Sequence, residues 1–124
     1  MNIQRHNYET LGLPLGPYVH SMTHQNTLYT SGLTAFGTKS EHGTISEQAR
    51  AIFTQLELIA EQQSTSLKQL IKVTIFVTDL TDIDKLRDFL FEYYGQDLPA
   101  SSLIKIDSLF LPGLLIEIEA ILAL

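Results

Sequence analysis

The sequence predicts an α+β domain in which two helices pack on one face of a mixed β-sheet. Three observations carry this. Two segments repeat apolar residues at helical spacing: Ile45, Ala49, Ile52, Leu56 and Ile59 in the first, and Ile83, Leu86, Leu90 and Tyr93 in the second. Between them, residues 71–78 alternate as a strand does, with Val73, Ile75 and Val77 on one side and Lys72, Thr74 and Thr78 on the other. Further short apolar runs bounded by turn-forming residues flank this helix–strand–helix centre.

In chain order, residues 1–6 read as a short first strand. Residues 7–17, with Gly12, Pro14, Gly16 and Pro17, read as a loop. Two strands follow, Tyr18–Thr23 and Thr27–Thr30, joined by a hairpin turn at His24, Gln25 and Asn26. Gly32, Gly37 and Gly43 punctuate the next loop. Thr44 and Glu47 form a capping box at the start of the first helix, which should end near Gln63-Ser64 with Gln48, Arg50, Gln55 and Glu61 facing mostly water. Phe76 interrupts the polar side of the central strand, a sign that this side is also partly covered. Thr81 is the expected cap of the second helix, Asp82 and Asp84 suit its positive end, and Gly95 terminates it. Strands at Ser102–Ile106 and Leu114–Leu122 close the chain, with Pro112-Gly113 in the loop between them. With no linker, repeat or low-complexity run, residues 1–124 read as one domain.

Composition narrows the function. Hydrophobic residues at 44% and charged residues at 18% are ordinary for a chain that buries a core. A net charge of −6 repels phosphate backbones, and the Lys and Arg residues are scattered, so no nucleic-acid partner is expected. The chain has no cysteine, which excludes thiolate chemistry, and its histidines (His6, His20, His24 and His42) show no metal-ligand spacing. No metal is therefore expected. No apolar run reaches membrane-spanning length and none follows the first five residues, so no membrane partner and a cytoplasmic location are expected.

The polar residues of the last strand are the oddest in the sequence. Leu115, Glu117, Glu119 and Ile121 share one face, and Leu114, Ile116, Ile118, Ala120 and Leu122 share the other. A carboxylate among apolar neighbours is costly to bury unless it is hydrogen-bonded or useful, although a solvated strand face explains both glutamates without function. Gly16-Pro17-Tyr18 brings a tyrosine to a strand start, where it serves a ligand or merely packs. Thr30-Ser31-Gly32 offers hydroxyls and backbone N–H groups that suit a carboxylate, and equally suits a plain turn. His20 has no partner at informative spacing and reads as structural, and Ser101-Ser102 lacks the turn and base a nucleophile needs.

Taken together, Gly16-Pro17-Tyr18, Tyr29-Thr30-Ser31-Gly32, Glu47-Gln48-Ala49-Arg50, the run from Lys72 to Leu80, Pro99-Ala100-Ser101-Ser102 and the run from Leu111 to Ala120 resemble the RidA/YjgF family. They occur in family order across nearly the whole chain, and Phe76-Val77-Thr78-Asp79-Leu80 and Ile116-Glu117-Ile118-Glu119-Ala120 are the most specific. The resemblance implies a six-stranded chorismate-mutase-like fold (bacillus type) that assembles as a trimeric barrel with three clefts between subunits. It implies hydrolysis of reactive enamines and imines, such as 2-aminoacrylate, to a 2-keto acid and ammonia, without a cofactor. An arginine would clamp the substrate carboxylate through two parallel hydrogen bonds, and a glutamate of the last strand would place or activate the attacking water.

Carried over residue by residue, the resemblance assigns the glutamate to Glu119 and the ligand-binding positions to Tyr18, Ser31 and Gly32. The arginine does not carry over. Ser101 stands in its place, Leu103 at a small polar or cysteine position, and Arg87 at an asparagine position of the second helix. Serine is neutral and short and cannot replace a bidentate guanidinium. Loss of such a contact is worth roughly 2–5 kcal/mol, so little ordinary deaminase activity is expected. Arg87 either turns into the cleft as a compensating cation or pairs with Asp84 or Asp88 on its own helix. Three functions follow from the resemblance: a trimeric binder of small keto acids or imines, a hydrolase of a different imine using Glu119 with or without Arg87, and a non-enzymatic interaction or regulatory protein.

Overall fold

The computed structural model describes residues 2–124, so Met1, the first residue of the expected opening strand, lies outside the described residues. The strands are β1 (Ile3–His6), β2 (Ser21–His24), β3 (Thr27–Thr30), β4 (Leu70–Val77), β5 (Ala100–Lys105) and β6 (Ile116–Ala123). The helices are α1 (Ile45–Gln62) and α2 (Ile83–Tyr94), and short 3-10 turns cover Glu9–Leu11 and Leu67–Gln69.

All six strands form one sheet in the order β1-β2-β3-β6-β4-β5. Every pairing is antiparallel except β4 with β5, whose crossover is α2, so the sheet is mixed as predicted. The last strand fills the slot between β3 and β4. That placement puts the face of β6 bearing Ile116, Ile118, Ala120 and Leu122 at the centre of the core. The apolar stripe of α1 lies against it, and α2 packs beside α1. Ile52, Phe53, Leu56, Val73, Ile75, Leu86, Ile116, Ile118 and Leu122 are sealed from solvent. Each such side chain contributes about 1.5–3 kcal/mol on burial, which is what holds the two layers together.

Helix α1 begins at its capping box as expected: the Thr44 hydroxyl accepts from the Glu47 N–H and the Glu47 carboxylate accepts from the Thr44 N–H. Helix α2 begins one residue later than Thr81 implies. Asp82 holds the cap position, while Thr81 donates both its N–H and its hydroxyl to Asp79 in a local turn that draws Thr81 away from the helix. Gly95, at φ 61°, ends α2 in a conformation that favours glycine.

Two polar residues of α1 depart from the water-facing expectation, Gln48 fully and Gln55 in part. Gln48 is fully buried. Its Nε2 donates to the carbonyls of Glu41, Gly43 and Gly113, and its Oε1 accepts from the Leu115 N–H. The helix-facing stripe is therefore wider than its apolar residues suggest, because loop backbone around it needs partners. Gln55 likewise donates to the Thr34 carbonyl, fastening the β3–α1 loop to the helix.

Candidate active-site cleft

The loop after β1 is tied down from below. The Tyr8 N–H donates to His20 Nδ1 at 2.9 Å, the Tyr8 hydroxyl meets Ser21 Oγ at 2.6 Å, and Gln63 donates to that same hydroxyl. The His20 ring stacks on Tyr8 and is buried, which lowers its pKa. With Nδ1 accepting a backbone proton, the neutral ring carries its own proton on Nε2. His20 is thus a structural post, as its isolation in the sequence suggested.

On this support the chain builds one wall of an open cleft of about 1030 Å³. Tyr18 stands at its rim, half-exposed, with its hydroxyl accepting from the Leu15 N–H. Ser31 follows, but its polar groups are engaged. Its N–H donates to the His20 carbonyl and its hydroxyl to the Val19 carbonyl at 2.6 Å. The Ser31 N–H thus closes the β2–β3 end and is already partnered. Leu33 pairs with Ile118 through two backbone hydrogen bonds, which presses residues 31–33 against β6.

That pressure brings a carboxylate into the cleft. A methyl group at Gly32 would lie 2.5 Å from Glu117 Oε2 and 2.7 Å from its Cδ. Glycine is needed here for close approach, since its φ is not in the left-handed region. Glu117 lines the cleft together with Tyr18, Ser31, Gly32, Phe36 and Phe110. Burial, and secondarily the charge of Glu119, raises its pKa. Glu119, the glutamate chosen from the sequence, is exposed and does not line this cleft. The two acids share a strand face, and Gly32 lies against Glu117.

The remaining sequence-selected residues lie elsewhere in the chain. Ser101 and Leu103 sit on β5, the far edge of the sheet, where every residue is exposed. Arg87 projects from α2 and pairs with Asp84 at 3.7 Å, largely in solvent. Tyr18, Ser31, Gly32 and Glu117 are thus brought together, while Ser101, Leu103 and Arg87 form no part of the same cleft within one chain. Sequence reasoning also missed Phe36 and Phe110, whose rings meet edge-to-face at 5.3 Å on the cleft wall. No periodicity marks either, since both lie in loops. Among the described residues no group of three His, Asp or Glu side chains is placed to hold a metal ion.

The family model described as endoribonuclease L-PSP matches residues 10–124. The chain belongs to this family, the RidA/YjgF family. Among its relatives, a RutC family protein of Pyrococcus horikoshii is 32% identical over 111 residues, covering 87% of each chain. A protein of Dermatophagoides farinae named 2-iminobutanoate/2-iminopropanoate deaminase is 26% identical over 114 residues, covering 90% of this chain and 88% of that one. Among solved structures, RidA from an Antarctic Psychrobacter superposes with TM-score 0.81 at 26% identity, covering 90% and 92% of the two chains. Yeast Mmf1 superposes with TM-score 0.86 at 25% identity over 98% of both. The mixed six-stranded sheet with two helices is thus the RidA/YjgF fold, as the sequence implied. No helix of the described residues is long and apolar enough to cross a membrane.

Proposed function

We propose that this RidA/YjgF protein binds a small molecule in the Glu117 cleft, that the cleft is completed by β5 of a second copy in a trimer, and that ordinary 2-aminoacrylate deaminase activity is weak. The observation that carries the reading is the half-buried Glu117 carboxylate seated against Gly32. The water-placing role assigned from sequence to Glu119 is better filled by Glu117. A general base must reach the reacting centre, and Glu117 is the acid that faces the cleft. Its raised pKa brings it nearer neutrality, where an acid–base group is most useful.

Assembly is supported by β5. It is an edge strand exposed along its whole length and carries Leu103 and Ile104 outward, a liability unless another chain covers it. In such an assembly Ser101 and Leu103 would meet the cleft of a neighbour. The relative named as an imine deaminase makes imine hydrolysis the natural chemistry to test, and the missing arginine limits it. A 2-imino acid lacking its bidentate clamp would lose roughly 30-fold or more in rate, from 2 kcal/mol upward. The name endoribonuclease is poorly suited to a chain of net charge −6.

The test is release of 2-keto acid from 2-aminoacrylate generated in situ, with the wild type beside Ser101→Arg. The reading expects a nearly inert wild type and a variant that gains activity. A wild type that already accelerates release would show that the arginine is dispensable and would redirect attention to Arg87.

A further inference from the structure

The charges around the cleft point to a ligand class. Among its described lining residues, Glu117 is the one carboxylic acid side chain. His20 is the other titratable group that is basic, and it is neutral there, with burial lowering its pKa and Nδ1 occupied by the Tyr8 N–H. Among the described residues no lysine or arginine lines the cleft. Glu119 follows on the same strand face, outside the cleft, and its charge acts on Glu117. Three basic residues of the surrounding sheet and helix are engaged outside the cleft. Lys72 donates to Ser102 Oγ at 2.7 Å, Arg87 pairs with Asp84, and Arg5 lines the adjoining groove on the far side of Tyr18 and Ser31.

The uncharged part of the wall is apolar and aromatic. Phe36 and Phe110 present their rings, and Leu13 and Leu15 project at the mouth, 89% and 61% exposed. Aromatic faces carry negative electrostatic potential and attract cations, and a partly buried carboxylate does so more strongly. A ligand carboxylate would instead meet Glu117 with no counter-charge on the wall. Of the β5 residues that a second copy would bring, Ser101 and Leu103 are neutral, and Lys105, at the far end of the strand, lies near Asp79.

We infer that the cleft selects positively charged ligands: a protonated amine or iminium ion bearing a small apolar group and no carboxylate. The inference rests on the Glu117 cleft being the ligand site, and it reverses the charge preference that an arginine clamp would impose. The amine or iminium N–H groups donate to Glu117, and the apolar group lies against Phe36 and Phe110.

Benzylamine, benzyl alcohol and benzoate test this at pH 7.5, since they share one ring and differ in charge. Calorimetric titration of the full chain should rank benzylamine about tenfold or more tighter than benzyl alcohol, with benzoate weakest. Added salt should weaken benzylamine while leaving benzyl alcohol unchanged, a readout that needs no variant. In Glu117→Gln the preference for benzylamine over benzyl alcohol should disappear. If benzoate binds most tightly, and Arg87→Ala or Arg5→Ala removes that binding, the charge inference is overturned while the cleft remains a ligand site. If none of the three saturates, the ligand site and the inference fall together.

Discussion

Replacing Gly32 with alanine tests the seat of Glu117 with little disturbance elsewhere. The added methyl would sit 2.5 Å from Oε2, whereas ordinary contact begins near 3.4 Å. The carboxylate must withdraw by about 1 Å, and it can, because it is the end of a flexible side chain. The backbone at Gly32 needs no left-handed conformation, so stability should change by less than about 1 kcal/mol. A displacement of about 1 Å at a reacting group is worth on the order of 100-fold in rate. Two assays read the outcome separately. Thermal unfolding should be nearly unchanged. Carbon-13 NMR titration of the Glu117 carboxyl should show its pKa falling back toward that of an ordinary glutamate as the group is pushed into water. A Gly32→Ala protein in which Glu117 still titrates as in the wild type would refute the reasoning, since the carboxylate would then not depend on the space at Gly32.

Two further perturbations probe the core and the charge. Gln48→Leu keeps the size of the side chain but strands the Leu115 N–H and three loop carbonyls, so stability should fall by roughly 3 kcal/mol, seen as a melting temperature lower by about 10 °C. A change below about 1 kcal/mol would mean that water replaces the glutamine. Glu117 has its pKa raised on folding, so the native state holds its proton to higher pH than the unfolded chain does. Its contribution is favourable at low pH and is lost as pH rises through the native pKa. Glu117→Gln should therefore be more stable than wild type at pH 7, with the difference vanishing below about pH 4. Denaturant titrations across that range check the sign, and a variant less stable at pH 7 would contradict it.

Much of the fold was legible because its signals are local. The capping box at Thr44 and Glu47, the stripe from Ile45 to Ile59 and the alternation from Val73 to Val77 each depend on neighbours in sequence. Thr81 was misplaced by one residue because Asp79 competes for its hydroxyl and N–H, a contact that propensity does not weigh. Gln48 and Gln55 looked solvent-facing because composition counts them as polar, while their partners lie on loops distant in sequence. The cleft was half legible. Tyr18, Ser31 and Gly32 line one cleft. Strand periodicity puts Glu117 and Glu119 on one face and says nothing about which is covered. That is decided by Leu33 pairing with Ile118, a contact across 85 positions of sequence that lays Gly32 over Glu117. The far placement of Ser101 and Leu103 follows from β6 inserting between β3 and β4, which sends β5 to the sheet edge.

The central claim is that Glu117, and not Glu119, serves a cleft that lacks only an arginine for ordinary imine hydrolysis. The direct measurement is keto-acid release by Ser101→Arg alone and combined with Glu117→Gln or Glu119→Gln. The account predicts that Ser101→Arg gains activity, that adding Glu117→Gln removes roughly 100-fold or more of it, and that adding Glu119→Gln changes it by only a few-fold. Loss of the gained activity with Glu119→Gln and its survival with Glu117→Gln would contradict the account.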